Sequence, residues 1–156
     1  MRFIYLLMFF LTIVKIDSTA QTDSLNTKIK FEIDATINFD HGDTLGLKVQ
    51  LILDSTVIET VSDKSSPIFF LAYNQIYLLR ISKEGYITKT IEILTTNIKI
   101  QIWNDGFFPY KMKLRIFKQQ KDKIIEFTQS ISTIFYDKRF DDFGYKTNYN
   151  IIEKDN

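Results

Sequence analysis

The sequence predicts an all-β protein, folded as an antiparallel β-sandwich with a C-terminal extension. Many short segments alternate apolar and polar residues, and turn-forming residues separate these segments at regular intervals. No segment keeps a helical period, and residue types that favour strands, such as Ile, Phe, Tyr and Thr, are abundant. With 156 residues, the chain fits one domain.

The clearest hairpin consists of two predicted strands, residues 76–82 and 87–94, joined by a turn at residues 83–86. Side chains alternate across a strand, so the apolar residues at odd-numbered positions share one face of both strands. Gly85 lies where the chain reverses, and glycine alone adopts a positive φ without steric cost. The rest of the fold is therefore expected to assemble around this hairpin.

Residues 28–39 form the most regular predicted strand, because their odd-numbered positions are apolar and their even-numbered positions are polar or charged. Such a strand buries one face and exposes the other to water. Phe31 and Ile33 are therefore predicted to lie in the core, whereas Lys30 and Glu32 are predicted to contact solvent.

Further strands are predicted at residues 47–53, 56–61, 68–73, 98–102, 110–116 and 131–136. Segment 68–73 is apolar on both faces and is expected to be a central strand. Residues 137–156 are polar and aromatic and show no clear period. We therefore expect a β-sandwich over residues 27–103, with C-terminal strands and an aromatic-rich extension, residues 104–156, packing on it.

The first twenty residues have the pattern of a secretory signal peptide. An apolar run at residues 3–14 follows a basic residue, and the small residues Ser18 and Ala20 precede a cleavage site. A transmembrane anchor is the alternative, but the run is shorter than the roughly 20 residues that a membrane span needs. Residues 1–20 are therefore predicted to be removed, leaving an exported protein, periplasmic or extracellular, with no stable membrane span.

The composition argues against several classes of function. The sequence has no cysteine, which excludes disulfides, thiol catalysis and zinc–thiolate sites. Removal of residues 1–20 leaves equal numbers of acidic and basic residues, so no overall charge attracts nucleic acid. The common phosphate-binding, serine-hydrolase and zinc-protease motifs are missing from the sequence. We therefore expect neither an enzyme nor a bound cofactor or metal.

Two groups of polar residues have types that metals or catalysis use. His41 lies between Asp40 and Asp43, but three ligands within one turn make a poor metal site, and a solvated turn is favoured. The densest group of carboxylates lies at residues 137–142. Paired carboxylates cleave glycosides and bind calcium. Lys138 and Arg139 lie between these carboxylates, however, and favour a surface charge cluster.

Two aromatic regions are candidates for binding. Lys111, Lys113 and Arg115 share one face of a predicted strand that begins at Tyr110. This face suits anionic ligands, but the solvent-exposed side of an edge strand is the favoured interpretation. The possible partner-binding residues in the C-terminal segment are Phe135, Tyr136, Phe140, Phe143, Tyr145 and Tyr149. These aromatic residues either bind a partner or form a flap over an open end of the sandwich.

The central hairpin also carries a pattern that resembles a known family. Tyr77, Leu79, Lys83, Gly85 and Tyr86 match the order Tyr-x-Leu-x-x-x-Lys-x-Gly-Tyr. This order resembles the end of carboxypeptidase-regulatory-like domains, which are transthyretin-like, immunoglobulin-like β-sandwiches of exported bacterial proteins. The resemblance covers about residues 28–96. A glycine-containing turn that is usual before the Tyr-x-Leu strand is missing here.

The resemblance implies a non-catalytic accessory or binding module and transfers no catalytic residue. Together with the signal pattern, it predicts an exported, non-enzymatic β-sandwich module that binds a protein or a cell-envelope partner. The alternative is a carbohydrate-binding or glycan-hydrolysing domain that uses aromatic residues and carboxylates. A concave groove with an exposed aromatic residue beside paired carboxylates would favour the alternative, whereas a convex sandwich with a covered tail would favour the first hypothesis.

Overall fold

The computed structural model describes residues 30–40, 42–148 and 151–155 of the chain. The predicted signal peptide, His41 and Tyr149 lie outside the described residues. The strands in chain order are β1 (Phe31–Phe39), β2 (Lys48–Leu53), β3 (Thr56–Ser62), β4 (Ile68–Leu71), β5 (Ile76–Ser82), β6 (Lys89–Leu94), β7 (Tyr110–Ile116), β8 (Lys123–Phe127), β9 (Ser132–Asp137), β10 (Asp142–Thr147) and β11 (Ile151–Asp155). One helix, α1 (Ile100–Asp105), lies between β6 and β7.

Two sheets of unequal width pack against each other. The narrow sheet has three strands in the order β4-β1-β7, and the wide sheet has six in the order β10-β9-β6-β5-β2-β3. A separate antiparallel pair, β8 and β11, follows. The prediction of an all-β sandwich is confirmed. The two large sheets are nevertheless mixed, because β7 joins β1 in parallel and β9 joins β6 in parallel.

Strand β1 forms the centre of the narrow sheet, and its predicted alternation is confirmed. Phe31, Ile33, Ala35 and Ile37 are buried, and the residues between them are half-buried or exposed. The buried face packs in one hydrophobic cluster with the inward residues of the wide sheet. This apolar contact between the sheets is the main source of stabilisation that the fold offers, since burial of apolar surface dominates folding energetics.

The predicted turn at Gly85 is also confirmed. Gly85 has φ +72°, and the Tyr86 N–H donates to the Lys83 carbonyl over 3.0 Å. The strand after the turn begins later than predicted, at Lys89. The residues before it contact the other sheet instead, and the Ile87 N–H donates to the Phe117 carbonyl over 2.8 Å. The turn therefore links the two sheets at one corner of the sandwich.

The lysine of this turn holds a second loop in place. The Lys83 Nζ donates to the main-chain carbonyls of Asp43 at 2.9 Å and Leu45 at 2.5 Å. It also lies 5.5 Å from the centre of the Phe39 ring and 5.6 Å from that of Tyr86, which is close enough for cation–π attraction. The loop before β2 is thus fixed to the corner that Gly85 forms.

Two predictions about the middle of the chain are wrong. Segment 68–73 is not a central strand, because β4 lies at the edge of the narrow sheet with Ile68 42% and Phe70 54% exposed. Residues 98–102 do not form a strand, because the chain enters helix α1 at Ile100. The helix brings Trp103, which is only 2% exposed, into the core. Burial of this large side chain overrides a short alternating pattern.

The residues after position 103 contribute strands to both large sheets. Strand β7 pairs with β1 over seven residues, and β9 pairs with β6 over four. Strand β10, which the sequence did not predict, extends the wide sheet beyond β9. The C-terminal third is therefore part of the sandwich itself. Among the described residues, the structure contains no helix that is long and apolar enough to cross a membrane.

A pair of substitutions in β1 tests the two faces of this strand. We expect Ile33→Asp to lower the free energy of unfolding by several kcal/mol, because it places a carboxylate at a position with 0% exposure. Glu32→Lys, on the other face, is expected to change it by no more than about 0.5 kcal/mol. Urea titration of both variants measures the difference. Equal losses at the two positions would contradict the assignment of faces.

Candidate binding groove

An open groove lies between β7 of the narrow sheet and the β9–β10 hairpin of the wide sheet. It encloses about 330 Å³. The narrow sheet ends at β7, whereas the wide sheet continues past β6 into two more strands. Beside β7, the narrow sheet therefore leaves part of the inner face of these last two strands uncovered, and a concave site results.

The main-chain edge of β7 forms one wall of the groove. Five consecutive residues, 110–114, line it. Successive side chains of a strand point to opposite faces, so consecutive lining residues show that the groove runs along the edge of the strand. Strand β1 occupies the other edge of β7. In the described part of the chain, no strand pairs with the edge that faces the groove.

This open stretch of β7 ends before Arg115. The Lys89 Nζ donates to the Arg115 carbonyl over 2.6 Å, and the Phe117 carbonyl accepts from the Ile87 N–H. Lys89 is 9% exposed, its Nζ lies 4.6 Å from the centre of the Phe117 ring, and its burial lowers its pKa. The groove therefore offers an edge about five residues long, closed at one end by the start of β6.

The opposite wall is apolar at its base and aromatic at its rim. Ile91, Ile131 and Ile134 line the base, and all three are buried. Tyr145 of β10 lines the rim and is 68% exposed. Tyr145 lies directly opposite Ile134 in the β9–β10 pairing, so its ring stands on the inner side of the wide sheet. A ligand in the groove would bury this ring.

Basic residues give the groove its charge. Lys111 and Lys113 line the β7 wall, and both are exposed. In the register with β1, Lys111 lies beside Asp34, whereas Lys113 lies beside the neutral Thr36. The inward-facing Tyr110 has a raised pKa, mainly because it is partly buried. The lining therefore combines an apolar base, two phenols and two lysines, of which Lys113 has no acidic neighbour in β1, and it suits a ligand with both apolar and anionic groups.

An aromatic cluster borders the groove and joins the sheets. The rings of Phe31 and Phe143 stack with centroids 3.7 Å apart and planes inclined by 13°. Phe107 contacts both rings edge-on, at 5.9 and 5.0 Å, and Tyr136 contacts Phe143 at 6.2 Å. Phe143 is 7% exposed. The cluster therefore holds the β9–β10 hairpin against β1 and covers part of the surface that the narrow sheet leaves open.

The five predicted aromatic residues that the structure describes lie in different environments. Tyr136 and Phe143 belong to the cluster between the sheets, as a covering flap would. Phe135 is half-buried and alternates with Ile134, so it lies on the outer face of the wide sheet. Phe140 is 75% exposed in the β9–β10 turn, and Tyr145 is the one of the described five that lines the groove. Their role in binding stays a prediction.

Three carboxylates at the tip of the β9–β10 hairpin bond to residues of the same hairpin. Asp137 binds the Arg139 guanidinium, which together with the Arg139 amide lowers the pKa of Asp137 to about 2. Asp141 accepts a hydrogen bond from the Tyr136 hydroxyl, which raises the pKa of that phenol to about 12. The Asp142 carboxylate accepts from the Phe143 amide over 2.7 Å. Among the described residues, no group of His, Cys, Asp and Glu side chains is arranged to hold a metal ion.

The sequence indicated the β7 wall only indirectly. The pattern of Lys111, Lys113 and Arg115 predicts the solvent-exposed face of an edge strand, and β7 is an edge strand of the narrow sheet. Which strands lie across from that edge depends on the parallel pairing of β9 with β6, a contact between residues about 40 positions apart. The alternation of residues along one strand does not indicate which distant strands pair, so the sequence does not predict the groove.

Comparison with protein-family models, with curated proteins and with solved structures finds no match for this chain. The site is therefore interpreted from its own residues.

Two phenylalanines of the hairpin test the role of the aromatic cluster. We expect Phe143→Ala to lower the free energy of unfolding by about 3–5 kcal/mol, because it removes a buried ring from its stack on Phe31. Phe140→Ala, three residues earlier in the exposed turn, is expected to change it by no more than about 0.5 kcal/mol. Thermal and urea unfolding of both variants give the comparison. A loss below about 1 kcal/mol for Phe143→Ala would show that the cluster does not hold the hairpin in place.

Proposed function

We propose that this protein is an exported, non-enzymatic β-sandwich module and that it binds a protein partner in the groove between β7 and the β9–β10 hairpin. The observation that carries the proposal is the groove itself. An apolar base, an exposed tyrosine and an open strand edge occur together in one concave site of about 330 Å³. Concave sites with an apolar lining and a few polar groups are the usual form of binding sites in proteins.

The chemistry of the rim favours a protein partner. Tyrosine is among the residues that most often dominate the energy of protein interfaces, and Tyr145 exposes most of its ring at the rim. An open strand edge offers main-chain donors and acceptors, which a polypeptide matches better than a sugar does. The partner that fits is therefore a protein segment.

The glycan-hydrolysing alternative receives less support. Cleavage of a glycoside requires two carboxylates that flank the bond. The carboxylates nearest in sequence to Tyr145 bond to residues of their own hairpin, and the lining residues of the groove are apolar, hydroxylic or basic. A tyrosine beside lysines also suits an anionic sugar, so glycan binding is an outcome that the experiment must distinguish.

The sequence supplies the proposed location and family. The pattern of residues 1–20 supports export, and the match at Tyr77, Leu79, Lys83, Gly85 and Tyr86 supports a carboxypeptidase-regulatory-like domain. These five residues lie on β5 and on the corner that follows it, and none of them lines the groove. Under this proposal the family pattern maintains the fold, and the groove confers binding.

Capture of a partner by matched variants tests the proposal. Tagged protein lacking residues 1–20 is incubated with cell-envelope extract, beside Tyr145→Ala and the control Phe140→Ala. Both substituted rings are exposed in the same hairpin, so the two variants are expected to remain equally stable. We expect the unchanged chain and Phe140→Ala to retain the same protein from the extract. The amount that Tyr145→Ala retains is expected to be lower by about tenfold or more.

Two results would contradict the proposal. Retention that is equal for both variants would overturn the groove as the binding site. Retention of a polysaccharide in place of a protein, with the same dependence on Tyr145, would contradict the protein partner and favour the carbohydrate-binding alternative. Thermal unfolding of each variant verifies that a loss of capture reflects the missing ring and not an unfolded chain.

A further inference from the structure

We propose that the partner inserts an extended segment that adds a β-strand to the open edge of β7, and that this segment alternates apolar with acidic side chains. The inference rests on the proposed function, because it names the chemistry of what the groove takes. It follows from three features of the site: the edge of β7, the alternation of its side chains and the charges beside it.

The open edge supplies unpaired main-chain groups. In a strand that pairs in parallel on one side, alternate residues direct their N–H and C=O groups to the opposite side. Strand β1 takes the groups on one side of β7, so the alternate residues of the stretch 110–114 direct theirs into the groove. Main-chain groups of this kind are the basis on which extended peptides bind to sheet edges.

The length of the edge sets the length of the segment. Five residues of β7 line the groove, and the Lys89 contact to Arg115 closes the edge beyond them. At about 3.3 Å per residue, this stretch spans about 16 Å. A segment of about five residues fills it, and its ends extend into solvent.

The two faces of the added strand meet different surroundings. On the inner side, its side chains meet Met112 and Leu114 of β7 and the apolar base around Ile134. On the outer side, they lie next to Lys111 and Lys113, which project from the solvent face of the narrow sheet. Directly opposed side chains of neighbouring strands stabilise a sheet when their charges are opposite. The matching segment therefore carries apolar residues inward and Asp or Glu outward.

Lys113 contributes most of the uncompensated charge beside the open edge. Its neighbour in β1, Thr36, is neutral, whereas Lys111 lies beside Asp34. Exposed lysines along an edge also deter uncontrolled pairing with other strands. The same residues thus exclude neutral and basic strands and admit an acidic one, which gives the edge specificity.

Synthetic peptides test the inference directly. The protein lacking residues 1–20 is titrated with a peptide of about seven residues that alternates Val and Glu, at a length chosen to cover the edge. A second peptide has Lys in place of Glu, and a third has the acidic sequence with alternate main-chain nitrogens methylated. Binding is followed by NMR shifts of the β7 amides. We expect the acidic peptide to bind at least about tenfold more tightly than either of the others.

A charge-reversal variant adds a matched control. Lys113→Glu is expected to lower the affinity for the acidic peptide and to raise the affinity for the basic peptide, each about tenfold. Lys138→Glu makes the same change in the exposed β9–β10 turn, outside the groove lining, and is expected to alter neither of the two affinities. Both changes lie on exposed side chains, so both variants are expected to fold.

Each contrary result has its own meaning. Equal affinity for the methylated and unmethylated acidic peptides would overturn strand addition. Equal affinity for the acidic and basic peptides would overturn the charge preference. If no peptide binds while capture of the envelope protein still depends on Tyr145, the added strand is wrong and the groove remains the binding site. If capture does not depend on Tyr145 either, the proposed function fails as well.

Discussion

The unequal width of the two sheets is the constraint on which the rest of the structure depends. A six-stranded sheet presents one apolar face, and a three-stranded sheet covers only part of it. Apolar surface left in water is costly, so the uncovered part must be closed by other groups. The Phe31–Phe143 stack and the surrounding rings close one portion of this surface. The groove beside β7 is the portion that remains open.

The same constraint explains why the C-terminal third is needed. Strand β7 completes the narrow sheet, and β9 and β10 widen the other sheet, so the lining of the groove comes from residues after position 103, except for Ile91 at its base. The central hairpin and its Gly85 corner supply the scaffold. The Ile87 contact to Phe117 and the Lys89 contact to Arg115 fix the end of β7 to the start of β6. The position of the open edge is therefore set by the scaffold and not by the loops.

Local pattern predicted the parts of this fold that depend on local chemistry. The alternation of β1 and the positive φ of Gly85 follow from side-chain period and backbone sterics, and both were correct. The strand predicted at residues 98–102 is wrong. The chain forms a helix there, which buries Trp103, although three isoleucines alternate with polar residues. The sequence does not predict β10, because Asp142, Gly144 and Lys146 are residue types that strands disfavour and only Phe143 and Tyr145 alternate with them. The groove could not be predicted, since it arises from strand pairings between distant parts of the chain.

The central claim is that no strand of the described residues pairs with the edge of β7 that faces the groove, and that this edge is open in the unbound protein. Hydrogen–deuterium exchange of the individual β7 amides, followed by NMR, measures this most directly. Amides that donate to β1 are protected by the sheet, whereas amides directed into the groove meet solvent. The account predicts slow and fast exchange at alternate residues from Tyr110 to Leu114. Uniformly slow exchange along this stretch would show that another part of the chain covers the edge, and it would contradict the account.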